Sequence, residues 1–315
     1  MLLFYRSTCV WAALSLGSLC LSAQQPIHSA PMLERYGKPY VMVTINGKGP
    51  YRFVIDTGTG ADAFISPELS DELHLPSDGE ALLSDPSKQS PQRVPMMLLE
   101  SLQVAGVEFP RVRAVRHTVT GEAGSCNGLL GFTLFRNYLL TLDFPGRLVS
   151  LTQGSLIPDG ERNVLPFRVP EGVPIAMLRV AGKLVEAQFD SGGGGLTLPE
   201  RLSTRLKWEV YPVAFATGTT MTTRFQIKAA KLASDVKVGK FTFHHPVVEI
   251  HPAFPLVNFG SPPMQSFAIT FDQKSRLLRL AADREEFFLT APPSPTRLTN
   301  QPHPEPAPRG LVPLG

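Results

Sequence analysis

The sequence predicts an all-β protein with few short helices, folded as two homologous lobes related by a pseudo-twofold axis. Three observations lead to this prediction. Short apolar runs alternate with Gly, Pro, Asn and Asp, long helical periodicity is nearly absent, and two blocks of sequence recur in the same order. With 315 residues, the chain is long enough to bury the cores of two such lobes.

The first repeated block leads from two β-rich runs to an acidic residue. VMVTINGKGPYRFVIDTGTGADAFISPELSDEL, residues 41–73, has its partner in IAMLRVAGKLVEAQFDSGGGGLTLPERLSTRL, residues 175–206. In the first copy, Asn46-Gly47 predicts a hairpin turn, and Ser66 before Pro67 predicts the start of a short helix.

The second repeated block aligns without gaps at a constant offset. GLLGFTLFRNYLLTLDFPGRLVSL begins at residue 128 and matches VNFGSPPMQSFAITFDQKSRLLRL, which begins at residue 257. Thr141 thereby matches Thr270, and Asp143 matches Asp272. Because each of these two acids is followed by a turn-like segment with an arginine, we interpret both as structural residues.

The repeats and the composition at the two ends divide the chain into six predicted segments. They are a signal peptide at 1–23, a linker at 24–35, a first lobe at 36–155, an inter-lobe linker at 156–164, a second lobe at 165–285 and a Pro-rich disordered tail at 286–315.

The first segment predicts export to the periplasm or secretion. Arg6 precedes a short apolar stretch that ends in the small residues Ser22-Ala23. Membrane attachment is expected only if this segment stays uncleaved, because its apolar run is shorter than the roughly 20 residues that span a bilayer.

Several classes of function are not supported by the composition. The formal charge is +3 without a dense Lys/Arg run, so we expect no nucleic-acid partner. Cys126 is the only cysteine beyond the predicted signal peptide, and we expect it to be a small buried hydrophobe. His244, His245 and His251 match no common ligand spacing, so no metal site is predicted.

Asp56 and Asp190 occupy the same position in the two copies of the first block. If the lobes pack about a twofold axis, the two carboxyl groups face each other and share one proton, since two adjacent charges are costly. The ionised acid can then take a proton from water while the protonated acid hydrogen-bonds a peptide carbonyl oxygen. The pair thus supplies a general base and a general acid for amide hydrolysis.

Residues beside the acids fit this arrangement. Gly58 and Gly192 let the two backbones turn sharply and approach each other, which a Cβ would obstruct. Thr57 and Ser191 supply hydroxyl groups for hydrogen bonds between the facing loops. Thr59 adds a third hydroxyl beside the first acid.

The sequence resembles the aspartic proteases, specifically the retropepsin-like family in a single-chain, two-lobed form. The resemblance rests on IDTGT at 55–59, FDSGG at 189–193, GLLG at 128–131 and VNFG at 257–260, and it covers about residues 36–285. It implies that each lobe is a closed, mostly antiparallel barrel and that Asp56 and Asp190 form the catalytic dyad.

The resemblance also implies roles for the residues around the dyad. Thr57 and Ser191 would form interlocking hydrogen bonds at its base, with Gly58, Thr59 and Gly192 as further support. Hairpins that fold over the substrate as flaps are expected within residues 82–98 and within residues 214–227, where Gly218 marks the second hairpin.

One departure leaves two functions open. The counterpart of Thr59 is Gly193, which has no side chain, so the second acid is either poorly oriented or supported from elsewhere. The first hypothesis is an exported aspartic endopeptidase that acts on peptides or proteins, needs no cofactor and works as a monomer, since one chain provides both acids. The alternative is a catalytically weak or inactive peptide-binding module.

Overall fold

The fold was described from a computed structural model. It describes residues 28–35, 37–84, 91–118, 126–219, 224–252 and 254–290. The predicted signal peptide, the start of the predicted linker and residues 291–315 of the predicted tail lie outside the described residues. Within the described part of the chain, no helix is long and apolar enough to cross a membrane.

The described residues form strands and a few short helices, which confirms the predicted mostly β fold class. The strands are β1 His28–Pro31, β2 Leu33–Arg35, β3 Lys38–Ile45, β4 Lys48–Asp56, β5 Ala63–Ile65, β6 Ser77–Leu83, β7 Gln92–Val104, β8 Val107–Arg116, β9 Gly128–Gly131, β10 Leu139–Asp143, β11 Leu148–Thr152, β12 Val164–Arg168, β13 Ile175–Val180, β14 Lys183–Phe189, β15 Leu196–Pro199, β16 Trp208–Thr219, β17 Arg224–Leu232, β18 Val236–Val238, β19 Phe241–Phe243, β20 Val247–His251, β21 Val257–Phe259, β22 Ala268–Asp272, β23 Leu277–Ala281 and β24 Glu286–Phe287. The helices are α1 Pro67–Glu72, α2 Glu200–Ser203 and α3 Ser261–Met264, with 3₁₀ helices at Phe132–Phe135 and Pro170–Gly172.

The strands of the first lobe close into a ring. Their spatial order is β3, β4, β9, β5, β8 and β7, and β7 pairs back onto β3. Most neighbours are antiparallel, but β9 runs parallel to β4 and β8 runs parallel to β5. The parallel pair β4–β9 brings the two repeated blocks side by side at the end of β4, where Asp56 lies.

Local sequence signals in this lobe form the structures they predict. Asn46 and Gly47 have φ angles of 51° and 74°, so both central residues of the hairpin turn occupy the left-handed region that this turn requires. The side chain of Ser66 accepts a hydrogen bond from the backbone N–H of Leu69 at 3.2 Å and caps α1, which Pro67 begins.

The second lobe repeats the ring with two strands divided. Strands β13, β14, β21, β15, β20 and β17 follow one another, and β18 pairs with β13 as β7 pairs with β3. The counterpart of β7 is therefore split into β17 and β18, and that of β8 into β19 and β20. The parallel pair β14–β21 again joins the two repeated blocks, here beside Asp190.

The two lobes are joined through a shared sheet. The hairpin β10–β11 of the first lobe and the hairpin β22–β23 of the second pair through β10 and β22, which are antiparallel. Thr141 is in register with Thr270, and their hydroxyl oxygens lie 2.9 Å apart. Because these two residues are counterparts in the second repeated block, the pseudo-twofold axis passes between them.

Two predicted boundaries were wrong. Residues 28–35, predicted as part of a linker, form β1, which pairs with β11, and β2, which pairs with β3. The tail was predicted to begin at residue 286, but β24 pairs with β19 and Phe287 is buried. Both errors arise because these short edge strands depend on partners far away in the chain. The remaining lobe boundaries stay predictions.

Aromatic side chains from both lobes meet in one hydrophobic core. Phe132 of the first lobe contacts Phe271 of the second with ring centroids 5.3 Å apart, and Phe167 packs edge-on against both. Phe132 and Phe271 are fully buried. The lobes therefore share packing as well as a sheet, and we expect them to unfold together.

Replacing Phe271 by alanine tests this shared core. Phe271→Ala is expected to lower the free energy of unfolding by about 3–5 kcal/mol, because it leaves a cavity between the lobes. Urea unfolding followed by circular dichroism and Trp208 fluorescence should give a single transition. Phe288→Ala is the matched control, since Phe288 is 69% exposed, and it should change stability by less than about 0.5 kcal/mol. Two separate transitions would contradict the shared core.

Candidate active site

Asp56 and Asp190 each stand at the end of a buried strand. Asp56 is the last residue of β4, and Asp190 directly follows β14. The parallel neighbours of these strands hold both ends: Asp56 is in register with Gly131, and Phe189 with Phe259. A carboxyl group carried at the end of a packed strand has a well-defined position.

Thr57 and Ser191 lock the two strand ends together. The backbone N–H of Thr57 donates to the hydroxyl of Ser191 at 3.0 Å, and the N–H of Ser191 donates to the hydroxyl of Thr57 at 2.9 Å. Each hydroxyl then donates across to the other lobe, Thr57 to the carbonyl of Phe189 and Ser191 to the carbonyl of Ile55, both at 2.7 Å. Both side chains are fully buried, so all four bonds are shielded from water.

Gly58 and Gly192 make room for the two carboxyl groups. A Cβ at Gly58 would lie 2.4 Å from Cγ of Asp190, and a Cβ at Gly192 would lie 2.4 Å from Cγ of Asp56. Each acid therefore occupies the space beside the glycine of the opposite loop. Any side chain at either glycine would collide with a carboxylate.

The two acids interact directly, and the pair retains a proton. The pKa of Asp56 is raised to about 7, first by burial of its carboxyl group and then by the negative charge of Asp190, to which it also hydrogen-bonds. The hydroxyl of Thr59 and the charge of Lys38 oppose this rise in pKa. One acid thus stays protonated in mildly acidic solution while the pair shares a single negative charge.

Asp56 is held by two donors from its own loop. The backbone N–H of Gly58 donates to Oδ1 and the hydroxyl of Thr59 donates to Oδ2, both at 2.9 Å. The structure therefore brings Thr59 to the first acid, where the sequence predicted it.

Asp190 is held differently, by a residue that sequence reasoning missed. Gly193 provides no hydroxyl, but the side-chain amide of Asn258 on β21 donates to Oδ2 of Asp190 at 3.0 Å. Asn258 is 2% exposed. One sequence signal could have identified Asn258. In the alignment of the second repeated block, the Asn of VNFG at 257–260 stands where GLLG at 128–131 has an apolar residue, and its neighbours are apolar.

Lys38 is a second residue that sequence reasoning missed. Its Nζ donates to the backbone carbonyl of Gly192 at 2.6 Å and also to that of Gly193. A cation from the first lobe thereby holds the glycine-rich loop of the second. Lys38 precedes the first repeated block and has no matched counterpart, so no sequence signal marked it.

Both predicted flap segments lie in or beside hairpins. Residues 82–98 span the turn between β6 and β7, and residues 214–227 span the turn between β16 and β17. The tips, 85–90 and 220–223, lie outside the described residues. Gly218, which was predicted to mark the second hairpin, lies on β16 of that hairpin in register with Phe225.

Other residues singled out in the sequence have separate environments. Asp143 accepts a hydrogen bond from the N–H of Gly146 at 2.8 Å, and Asp272 accepts from the N–H of Ser275 at 2.9 Å, as expected of structural turn residues. Cys126 is buried, and burial raises the pKa of its thiol, which disfavours the reactive thiolate.

The three histidines also lie apart from the dyad residues described above. His244 contacts Asp235 at 3.2 Å and His245 contacts Glu209. His251 packs against Phe254, with ring centroids 4.4 Å apart, and burial lowers its pKa to about 4.

Comparison with known protein families agrees with this geometry. A family model described as aspartyl protease matches residues 41–134, which include Asp56, Thr57, Gly58 and Thr59. The resemblance to the retropepsin-like aspartyl proteases is thereby confirmed, and this part of the chain carries the pattern of that family. A protease-like function follows at the level of the family. A comparison with curated proteins gives no match.

Removing the hydroxyl of Thr57 tests the lock between the strand ends. Thr57→Val keeps the shape of the side chain but leaves the N–H of Ser191 and the carbonyl of Phe189 without this partner. We expect the free energy of unfolding to fall by about 2 kcal/mol or more, because both groups are buried. Thr44→Val is the control, since the hydroxyl of Thr44 donates an exposed hydrogen bond to Gln103. It should change the free energy of unfolding, measured by chemical denaturation, very little. An equally small loss in Thr57→Val would contradict the proposed importance of the lock.

The raised pKa of Asp56 predicts a stability that depends on pH. The folded protein binds this proton more tightly than the unfolded chain, whose Asp has a pKa near 3.8. The free energy of unfolding should therefore fall as pH rises from about 4 to about 7 and then level off. Asp56→Asn cannot ionise, so it should be more stable than the natural protein at pH 8, and the difference should close towards pH 4.

Thermal unfolding at a series of pH values measures this difference. Asp143→Asn is the matched control, because Asn can still accept the hydrogen bond from Gly146. Its melting temperature should follow the natural protein at each pH. A constant difference between Asp56→Asn and the natural protein across this range would exclude the raised pKa.

Proposed function

We propose that this chain is an exported aspartic endopeptidase that hydrolyses peptide bonds with the Asp56/Asp190 pair. The observation that carries the proposal is the contact between the two carboxyl groups where the lobes meet, which together with burial raises the pKa of Asp56 to about 7. The interlocked hydroxyls of Thr57 and Ser191 support it, because they fix the distance between the acids.

The first half of the reaction adds water to the peptide carbonyl. The ionised acid removes a proton from a water molecule as the water oxygen bonds to the carbonyl carbon. The protonated acid gives its proton to the carbonyl oxygen at the same time, which avoids a free oxyanion. The product is a neutral tetrahedral diol, and the pair again holds one proton.

The second half breaks the carbon–nitrogen bond. The acid that now carries the proton donates it to the amide nitrogen, and the other acid takes a proton from one diol hydroxyl as the bond breaks. The products are a carboxylic acid and an amine, and the pair returns to its starting protonation state. No covalent bond to the protein forms in either half.

The substrate is proposed to be a peptide or an unfolded protein segment in an extended conformation. An extended backbone can bind as an added strand between the hairpins β6–β7 and β16–β17, which contain the predicted flap segments of the two lobes. This mode of binding favours chain interiors over chain ends, as an endopeptidase requires.

The proposed partners and cellular location of the protein rest on the sequence. One chain contributes both acids and the residues that hold them, so the proposed active form is a monomer without a cofactor or a nucleic-acid partner. The predicted signal peptide supports a periplasmic or secreted location. Attachment to a membrane is proposed only for a form that retains residues 1–23.

The alternative of an inactive peptide-binding module loses its main support. That hypothesis rested on Gly193, which leaves Asp190 without the hydroxyl that Asp56 receives from Thr59. Asn258 supplies a donor at the same acid, so both acids have side-chain support. A pure binding module would also have no need for two carboxyl groups in contact.

Cleavage of a peptide library, read by mass spectrometry, tests the proposal. Purified protein beginning at Gln24 should cleave library peptides in mildly acidic solution, and Asp56→Asn and Asp190→Asn should each lower kcat/KM by at least about 100-fold, since each removes one member of the general acid–base pair. Asp143→Asn is the matched control and should retain the activity of the natural protein.

The pH profile adds a second criterion. Activity should be lost as pH rises through about 7, because Asp56 then gives up the proton that the pair shares. Full cleavage by either dyad variant would contradict the proposed function. A folded natural protein that cleaves nothing at any pH would favour the binding module.

A further inference from the structure

The two acids are supported by chemically different donors at equivalent places. In the first lobe, Leu129 of β9 is in register with Val54 and Phe64. In the second lobe, Asn258 of β21 is in register with Gln188 and Thr197. Leu129 and Asn258 are therefore the same structural position, and the polar residue occurs only in the lobe that lacks the threonine.

Gly193 and Asn258 depend on each other for space. A Cβ at Gly193 would lie 2.4 Å from Nδ2 of Asn258 and 2.6 Å from Oδ2 of Asp190. The backbone φ of Gly193 lies outside the left-handed region, so its conformation does not require glycine. The missing side chain is what lets the amide of Asn258 reach the carboxylate.

The contact with Asp190 accounts for the polar character of Asn258. Its Oδ1 is buried without a hydrogen-bond partner among the described residues. A buried acceptor without a partner destabilises the fold, so leucine, as at position 129, would serve the strand better. The hydrogen bond from Nδ2 to Asp190 is the compensating contact.

Asn258 and Thr59 differ in whether their side chains can accept as well as donate a hydrogen bond at the carboxyl group. An amide nitrogen only donates, whereas a threonine hydroxyl can donate or accept. Oδ2 of Asp190 therefore faces a group that can only donate. Asp56 accepts from the hydroxyl of Thr59 at Oδ2 and from the backbone N–H of Gly58 at Oδ1.

We propose that Asn258 is the positioning residue of Asp190 and holds its carboxyl group in place for the acid–base reaction. This inference rests on the proposed function for its consequences in catalysis. Asn258 acts through Asp190 and is not itself in the reaction.

Other charged groups near the pair are the same in each variant compared below. Lys38 holds the carbonyls of Gly192 and Gly193, and its positive charge lowers the pKa of Asp56. Glu249 of β20 accepts a hydrogen bond from Thr197 at 3.3 Å, and burial raises its pKa. Differences in activity and pH profile between the variants can therefore be attributed to the hydrogen-bond donor at Asp190.

Removing the donor at Asp190 tests the proposal. Asn258→Leu should fold at least as well as the natural protein but lower kcat by about 10- to 100-fold, the range for one hydrogen bond to a charged group. KM should stay within about twofold. The acidic limb of the pH profile should move up by about one pH unit, because the singly ionised pair of acids loses a donor.

Two further variants provide the matched controls. Gly193→Thr should also lose activity, because a Cβ there would lie 2.6 Å from Oδ2 of Asp190 and 2.4 Å from Nδ2 of Asn258. Asn258→Gln keeps an amide donor, and it should retain more activity than Asn258→Leu. An acidic limb that stays unchanged in Asn258→Leu would overturn the proposal, whatever happens to stability.

Carbon-13 NMR of labelled aspartate side chains gives an answer that does not depend on cleavage. With Asp56→Asn and Asp190→Asn used for assignment, Asn258→Leu should change the chemical shift of the carboxyl carbon of Asp190 more than that of Asp56, because Asp190 loses its donor. An Asp190 signal that stays unchanged in Asn258→Leu would refute the proposal. A natural protein that cleaves no peptide would instead refute the proposed function alone, since the carboxyl signal still reports the donor.

Discussion

The reciprocal hydrogen bonds of Thr57 and Ser191 are the interaction on which the site depends. Each hydroxyl both accepts from and donates to the backbone of the opposite lobe, so neither strand end can shift without breaking bonds to the other. The repulsion between two carboxylates would otherwise drive the loops apart. The rigid, dry lock beneath the acids holds them in place, so burial and then the charge of Asp190 raise the pKa of Asp56 instead of moving the loops apart.

The lock works because the lobes are joined at two levels on the same axis. Thr141 and Thr270 pair in the shared sheet, and Phe132 packs against Phe271 in the shared core. These contacts fix the relative position of the lobes independently of the loops that carry the acids. The positions of the two acids are therefore determined largely by packing contacts away from the site. The loops that carry the acids need only small side chains.

Most of the fold and the pair of acids could be predicted from the sequence, because their signals are local or repeated. Asn46-Gly47 and Ser66 act through their immediate neighbours, and the positions of Asp56 and Asp190 are marked by duplication. Strands β1 and β24 could not be predicted, since their short sequences become strands only through distant partners.

The residues that hold Asp190 and its loop could not be predicted from the sequence, because they too are distant from it along the chain. Asn258 reaches Asp190 from 68 residues away, and Lys38 reaches Gly192 from the other lobe. A pairwise contact of this kind leaves no periodic pattern. The absence of a hydroxyl at Gly193 was visible, but the amide that occupies its place could be found only once β21 was laid beside β14.

The exchange of threonine and leucine for glycine and asparagine has a consequence for descent. In an assembly of two identical chains, any change beside one acid appears beside the other, so both acids must remain alike. Once the lobes are covalently linked, each copy can drift on its own, and a compensating pair such as Gly193 and Asn258 can become established on one side only. A single chain with two lobes thus permits two identical acids to be supported by different residues.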